Sequence, residues 1–337
     1  MKALKRPEHL WVGINGKASG YHALKEAISI ARWLHASVTA IAVAPLYEGD
    51  LDLTGVGSVR NNLYTDIETS LGCALDIADE LHYPVRIAAA GGDVCDQLLE
   101  QAIDSPQTGW IVIGAGQSFS ALRWLAGTPL LSIFTHSPLP VLIVPEKTAV
   151  SGEAVWLDLD RMELDSGSAA LFLEGWIESS LQIAAWFGVD RLMIARPEDF
   201  PDGRLLRSIL SERQEKRTLH DASGNKALLS IEAVDFPYRD TKDIFSAMEG
   251  SPPALVLIPR ISSGTLNTAA PGPSLSFRVK SILGLPFGQP GQSNGIIRFP
   301  GKCRFSMAAW HTEKRLRALP CPALILTGSV CPEENPS

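Results

Sequence analysis

Residues 137–145 read Ser-Pro-Leu-Pro-Val-Leu-Ile-Val-Pro, and residues 319–327 read Leu-Pro-Cys-Pro-Ala-Leu-Ile-Leu-Thr. Pro138 and Pro140 are answered by Pro320 and Pro322, each pair followed by a short apolar run. Earlier in each half, Leu10-Trp11-Val12-Gly13-Ile14-Asn15 is echoed by Val155-Trp156-Leu157-Asp158-Leu159-Asp160. Trp110-Ile111-Val112-Ile113 is echoed by Leu255-Val256-Leu257-Ile258, and the matches keep the same order. A repeat of roughly 150 residues is a domain, not a solenoid unit. The 337-residue chain therefore reads as one α/β domain written twice, over residues 1–148 and 149–337. Functional differences between the halves should lie where the copies disagree.

In the first half, short apolar runs predict strands at Leu10–Ile14, Val38–Ala44, Val85–Ala90, Trp110–Gly114 and Val141–Val144. They do not alternate, which suits strands buried on both faces of a parallel sheet. Leu24, Ile28, Ala31 and Leu34 share one face of a helix from about Gly20 to His35. Leu63, Ile67, Leu71, Ala74, Leu75, Ala78 and Leu81 do so for a second, stopped near Pro84. Asp93 can cap a third helix carrying Val94, Leu98, Leu99 and Ala102. Right-handed crossovers turn this order into a doubly wound sheet with helices on both faces. With strand order 3-2-1-4-5, the winding reverses between the first and fourth strands, and ligands of such sheets sit at the reversal. Those strands end in Asn15-Gly16 and Gly114-Ala115-Gly116, where small residues let backbone N–H groups approach a ligand.

Residues 8–147 resemble the universal stress protein family. The resemblance rests on Val12-Gly13-Ile14-Asn15-Gly16, Ala23-Leu24, Gly92-Asp93, Ile111-Val112-Ile113-Gly114, Gly127-Thr128 and the run from His136 to Pro145. Nucleotide-binding members carry G-x-x-G, nine residues, then G-[ST], a loop whose glycines form a phosphate nest. Here Gly114 stands at the first glycine and Gly127-Thr128 at the end of the loop. Gln117 replaces the second glycine, with Gly116 one residue early, and Pro129 after Thr128 has no N–H to donate. Asn15 stands where the family usually has aspartate, and can still donate and accept. The resemblance implies adenine on the backbone of Val43 and Ala44, and ribose at Asn15. It places phosphates at Gly114, Gln117, Gly127 and Thr128, with Gly16 and Gly116 also among the nucleotide-binding residues. The implied ligand is ATP or AMP, with no metal.

The second half predicts strands at Val155–Leu159, Arg191–Ala195, Leu228–Val234 and Leu255–Ile258. Helices are expected at about Ser168–Phe187, Gly203–Lys216, Thr241–Met248 and Arg304–Ala318, before a closing strand. Phe172, Trp176, Ile183 and Phe187 form an apolar stripe that reads as core, as do Trp33 and Trp186. Where the first half has Gly114, this half has Pro259, and no glycine nest follows. Asp158 and Asp160 share one face at the end of the first strand and read as a solvated strand end, with cation or ribose binding as the alternative. A Gly-, Pro- and Ser-rich insertion spans about 260–303. From Arg260 to Arg317 the chain carries nine Lys or Arg residues against one acid, Glu313. A solvated loop, a docking or oligomerisation segment, and an anion, lipid or nucleic-acid contact all fit that composition.

The fifth strand is the sheet edge in this topology, and an exposed apolar edge invites pairing. Val141–Val144 is expected beside Ala323–Leu326, making an internal pseudo-dimer; a homodimer of chains is compatible with this. The formal charge of −7 argues against whole-molecule attraction to nucleic acid or anionic lipid. No apolar run reaches the length of a membrane span, and the basic start Met1–Arg6 precedes a strand-like run, not a signal-peptide core. Five cysteines without a C-x-x-C pair read as reduced thiols of a cytoplasmic protein. The seven histidines show no metal spacing, and no catalytic constellation is recognisable. The expected function is therefore an adenine-nucleotide-sensing regulator of a stress response, not an enzyme, though slow ATP hydrolysis is compatible with a phosphate site open to water. The alternatives are a nucleotide-independent scaffold docking through the basic 260–317 segment, and an adenylating or nucleotide-hydrolysing enzyme.

Overall fold

The structure, a computed structural model, describes residues 4–44, 57–103, 108–116, 133, 137–146, 148, 152–159, 169–200, 203–212, 217–220, 226–229, 231–239, 241–250, 253–261, 319 and 321–328. The first half runs β1 (His9–Ile14), α1 (Ala18–Leu34), β2 (Ser37–Ala44), α2 (Gly57–Glu80), β3 (Val85–Gly91), α3 (Val94–Ile103), β4 (Gly109–Ala115) and β5 (Val141–Pro145). The second runs β6 (Ala154–Asp158), α4 (Ala169–Trp186), β7 (Arg191–Pro197), α5 (Gly203–Glu212), β8 (Arg217–His220), β9 (Lys226–Leu229), β10 (Glu232–Tyr238), α6 (Thr241–Gly250), β11 (Pro253–Ile261) and β12 (Ala323–Gly328).

Ten strands form one sheet in the order β10-β7-β6-β11-β12-β5-β4-β1-β2-β3. Read inward from its outer edge, each half has the order 3-2-1-4-5, numbering the sheet strands of that half in chain order. Within this sheet, pairing is parallel in each half and antiparallel only where β12 meets β5. The register carries the sequence repeat. Trp11 lies against Ile111 and Trp156 against Val256, while Ile111 pairs with Val141 and Val256 with Ala323. At the seam Val141 meets Ile325, Leu142 meets Leu324 and Ile143 meets Ala323. All six side chains are fully buried. Each Val, Leu or Ile so buried stabilises the fold by about 1.5–3 kcal/mol relative to an exposed one, so the joined edge is a core and not a loose contact.

Local sequence explains the helix limits. Leu24, Ile28, Ala31 and Leu34 are buried as their spacing predicts. The Asp93 carboxylate accepts from the N–H groups of Cys95 (2.8 Å) and Asp96 (3.1 Å), capping α3. α1 and α4 end alike. His35 (φ 52°) and Gly188 (φ 65°) turn left-handed, and the next N–H reaches back five residues, Ala36 to Ala31 and Val189 to Ala184.

Several expectations need correction. β3 is not buried on both faces: as an outer strand it leaves Ile87 45% exposed. The helix from Gly203 is described as far as Glu212, the rest of its expected span lying outside the described residues, and the strand expected over Leu228–Val234 is two elements. Lys226–Leu229 pairs antiparallel with Arg217–His220 in a separate hairpin, and the sheet strand starts at Glu232. Trp33 is not core. It is 53% exposed and donates its indole N–H to the carbonyl of Trp186, which is itself buried and 6.4 Å from Trp110 between ring centroids. Trp33 thus spans from α1 of one half to the end of α4 in the other. Asp158 is not a solvated strand end, being only 5% exposed. The basic insertion, the helix expected over Arg304–Ala318, Asp160, His136, Cys303 and Cys331 lie outside the described residues. No described helix is long and apolar enough to cross a membrane.

Candidate functional site

The winding of the first half reverses between β1 and β4, as anticipated. Gly13 pairs with Ile113, so Asn15 and Ala115 leave the sheet side by side. Between them sits the start of α1. A Cβ on Gly114 would lie 2.0 Å from the Ser19 carbonyl oxygen and 3.0 Å from the Gly20 nitrogen. Only glycine lets the helix descend this far onto the strand. A Cβ on Gly20 would in turn lie 2.8 Å from Asn15 Oδ1, so the Asn15 and Gly114 positions flank one turn of helix. Gly16 has φ +68°, the left-handed conformation that lets β1 turn directly into α1.

Asn15 is exposed, and its Oδ1 accepts from the Lys17 N–H at 3.1 Å. The side-chain carbonyl therefore folds back on its own backbone, which leaves the amide NH2 facing outward as a donor. At the end of β2, Ala44 is buried and its carbonyl accepts from Gly92 N–H at 2.8 Å, so one of its two acceptor directions is already used. Val43 is half-buried beside it. Gly114 and Gly116 stand half-buried at the tip of β4. These six of the expected site residues share one end of the sheet. Gln117, Gly127 and Thr128 lie outside the described residues.

Three side chains that the motif did not single out border the turn. Ser70 on α2 would lie 2.8 Å, through Oγ, from a Cβ on Gly16. The Tyr21 hydroxyl hydrogen-bonds to Ser70 and Cys73; burial pushes its phenol above the usual range, the Ser70 bond opposes the rise and Cys73 adds to it. Ser19 is 6% exposed, and a Cβ on Gly116 would lie 3.5 Å from its Oγ. A serine in the first turn of a helix, five residues before the periodic run that begins at Leu24, is the signal that could have drawn attention to it.

Other polar groups have structural explanations. His9 is buried, with Nε2 2.8 Å from Thr39 Oγ1 and Nδ1 2.6 Å from Ser37 Oγ, tying β1 to β2. Among the described residues no cluster of three or more His, Cys, Asp or Glu could hold a metal. The described cysteines, Cys73, Cys95 and Cys321, are free thiols.

The second half differs at this point. By register Pro259 takes the place of Gly114, since it pairs with Leu326 as Gly114 pairs with Val144. A proline ring thus stands where the first half has a bare glycine against the Ser19 backbone, and proline has no N–H. Further out, the Arg196 guanidinium forms two bonds to the Asp235 carboxylate, at 2.7 and 2.8 Å, between β7 and β10. Arg196 is 7% exposed.

This geometry defines a tandem doubly wound α/β protein with Asn15, Gly16, Gly114 and Gly116 at the switch point of its first half. No family model matches the chain. Over 116 residues, about a third of the chain (33%) and 79% of the relative, it is 27% identical to a universal stress protein A homologue of Haemophilus influenzae. The crystal structure of a universal stress protein from Archaeoglobus fulgidus covers 96% of this chain with 97% of its own, at a TM-score of 0.57 and 11% identity. A universal stress protein solved in complex with cAMP aligns with 42% of the chain and 99% of its own, at TM-score 0.34 and 19% identity. The chain is thus similar to universal stress proteins, in sequence over a third of its length and in fold over nearly all of it.

Proposed function

We propose that the protein is a cytoplasmic regulator of a stress response whose first half, residues 1–148, takes ATP or AMP. Residues 149–337 form a degenerate second copy that holds no nucleotide. One observation carries this reading: Asn15, Gly16, Gly114 and Gly116 converge at the switch point around the bare Gly114 position, and the equivalent position in the other half is Pro259. In this reading Asn15 meets the ribose, the backbone at Val43 and Ala44 meets the adenine, and Gly114, Gly116, Gln117, Gly127 and Thr128 meet the phosphates. Nucleotide occupancy biases partner binding through its different affinity for two states of the protein. The role is sensing, not turnover.

Homodimerisation belongs to the same proposal. Among the described residues β3 has no outer neighbour, and its sequence Val85–Gly91 carries one charge, Arg86. The other outer strand, β10, carries Glu232, Asp235 and Pro237, residues that discourage edge pairing. Light scattering of the purified protein reports the chain count directly.

Calorimetric titration of the purified protein with ATP and AMP tests the nucleotide reading. Saturable binding in the micromolar to millimolar range supports it. No heat and no shift in melting midpoint at millimolar nucleotide would remove it, leaving the scaffold docking through residues 260–317 as the better reading.

A further inference from the structure

We infer that two copies of this chain join through β3, antiparallel and edge to edge about a two-fold axis, with Ala88 opposite its own counterpart. This pairing rests on the homodimer proposed above and gives it a strand, a register and a flanking helix.

An outer strand leaves half of its backbone N–H and C=O groups facing away from the sheet, and only water or another strand can take that row. The two outer strands of this sheet treat it differently. β10 carries Glu232, Asp235 and Pro237 and keeps only Glu232 and Pro237 exposed. Its proline has no N–H to give a neighbour, and its acids resist burial. β3 has Arg86 as its single charge and no proline, and it leaves Arg86, Ile87, Ala89 and Gly91 exposed. Ile87 is 45% exposed, a large apolar side chain set on a strand edge. The pairing of β3 with β2 runs unbroken from Val85 to Gly91, so no bulge turns the edge aside. Among the described residues no strand lies beyond it.

The side chains select a second copy as the occupant. In an antiparallel pair, opposed residues share a face of the sheet. With the axis at Ala88 all seven residues of β3 are paired. Val85 meets the partner's Gly91, Arg86 meets the partner's Ala90 and Ile87 meets the partner's Ala89. Each bulky side chain then stands opposite a small one. Other registers are worse. An axis at Arg86 opposes two guanidinium groups. An axis at Ile87 brings Pro84, which has no N–H, into the ladder. An axis at Ala89 pairs Arg86 with Gly92, past the end of the strand. β3 is thus its own complement, which a two-fold pair requires and a foreign strand does not.

α2 flanks the junction on one face. Ile87 pairs with Ala40 and Ala89 with Ala42, and Ala42 clusters with Ile67 and Leu71 of α2. Ser70 and Cys73 of the same helix turn toward Tyr21 of α1. Gly72 and Leu75 therefore lie on the flank away from α1, over the open edge. Leu75 is 40% exposed, and a Cβ on Gly72 would meet nothing within 4 Å. The two copies of α2 can approach there over apolar surface that continues from Ile87. Glu68 and Asp79 are exposed on the same flank, so screening by salt should favour the pair.

Light scattering over a concentration series compares wild type with Ile87→Lys, with circular dichroism as the control for folding. Ile87 is already half exposed, so the variant should keep its fold. A lysine opposite Ala89 must bury its charge, and dimerisation should weaken at least about tenfold. A second measurement does not depend on weakening. Opposed Cα atoms of an antiparallel pair stand about 4.5–5.5 Å apart, within disulfide reach. Ala88→Cys should therefore form covalent dimers under mild oxidation, beyond the level of wild type. Ala90→Cys should not, because this register holds its two copies about 13 Å apart along the strands. The wild-type dimer should hold or tighten between about 0.05 and 0.5 M salt. A dimer that ignores Ile87→Lys, cross-links no better through Ala88→Cys than through Ala90→Cys, or falls apart as salt rises overturns this pairing and leaves a homodimer of another kind standing. Wild type that stays monomeric at every concentration removes the homodimer as well. Neither result touches the nucleotide reading.

Discussion

The two halves differ at the tip of the strand beside the first strand. In the first, Gly114 stands bare against the backbone of α1 at Ser19; in the second, the register puts Pro259 at that place. Both first helices end in the same left-handed turn and feed the equivalent next strand. Gly114 leaves room for the Ser19 carbonyl, whereas Pro259 fills the matching position with a ring. One missing Cβ lets the amino end of α1, the entry from strand to helix, come down onto the tip of the sheet.

The outer strands offer a second contrast and the largest expected effect. The second half ties β7 to β10 with the buried Arg196–Asp235 pair. By register the first half has Ala42 and the exposed Ile87 at the matching positions. Asp235→Ala leaves a buried guanidinium without its partner and should cost about 3–5 kcal/mol in urea unfolding. Arg196→Met with Asp235→Ala together should recover most of that loss, because the penalty comes from the stranded charge.

Changing the entry itself comes next. Gly114→Val drives a branched side chain into the Ser19 backbone and should cost about 3 kcal/mol. Pro259→Ala in the other half should shift stability by less than about 1 kcal/mol, since the chain there already accommodates a ring. Equal effects at the two positions would erase the contrast.

Alkaline pH sharpens it in another way. Burial pushes the Cys321 thiol, beside the seam, up from its ordinary value of 9.0 to about 12. A folded-state value raised this way gives stability that is complete below pH 9 and declines as pH rises toward 12. Burial also raises the Tyr21 and Tyr83 phenols, which adds to the same alkaline loss. Cys321→Ala should flatten the decline between pH 9 and 11. In native protein at pH 8, Cys321 should resist alkylation while the half-buried Cys73 reacts, as peptide mass spectrometry can show.

The smallest effect concerns the link between halves. Trp33→Phe keeps the ring face and removes the indole donor to the Trp186 carbonyl, and should lower stability by about 1 kcal/mol in thermal unfolding. Trp33 quenching should change when the seam opens.

Much of this was legible in the residues, because a buried strand pairs by its apolar pattern. Val141 with Ala323 and Trp11 with Trp156 could be aligned from the sequence, and the sheet register bears out both matches. The Asp93 cap was readable because its mechanism is local. The Arg217–Leu229 hairpin was not, since Arg217–His220 continues the polar pattern of α5 and its partner is fixed only by packing on α4. Trp33 misled because it matches the buried Trp186 in its place near the helix end, whereas its partner lies 153 residues away in the other half. Ser19 was invisible for a related reason: its neighbour Gly116 comes from another strand, and only folding brings them together. Asp158, polar and at a strand end, reads as solvated until the surrounding residues bury it.

Stoichiometry tests the asymmetry of the halves most directly. Native mass spectrometry of the full chain with ATP is expected to show one nucleotide per polypeptide, lost in Gly114→Val and retained in Pro259→Ala. Two nucleotides per chain, or one that survives disruption of the Gly114–Gly116 tip, would contradict it.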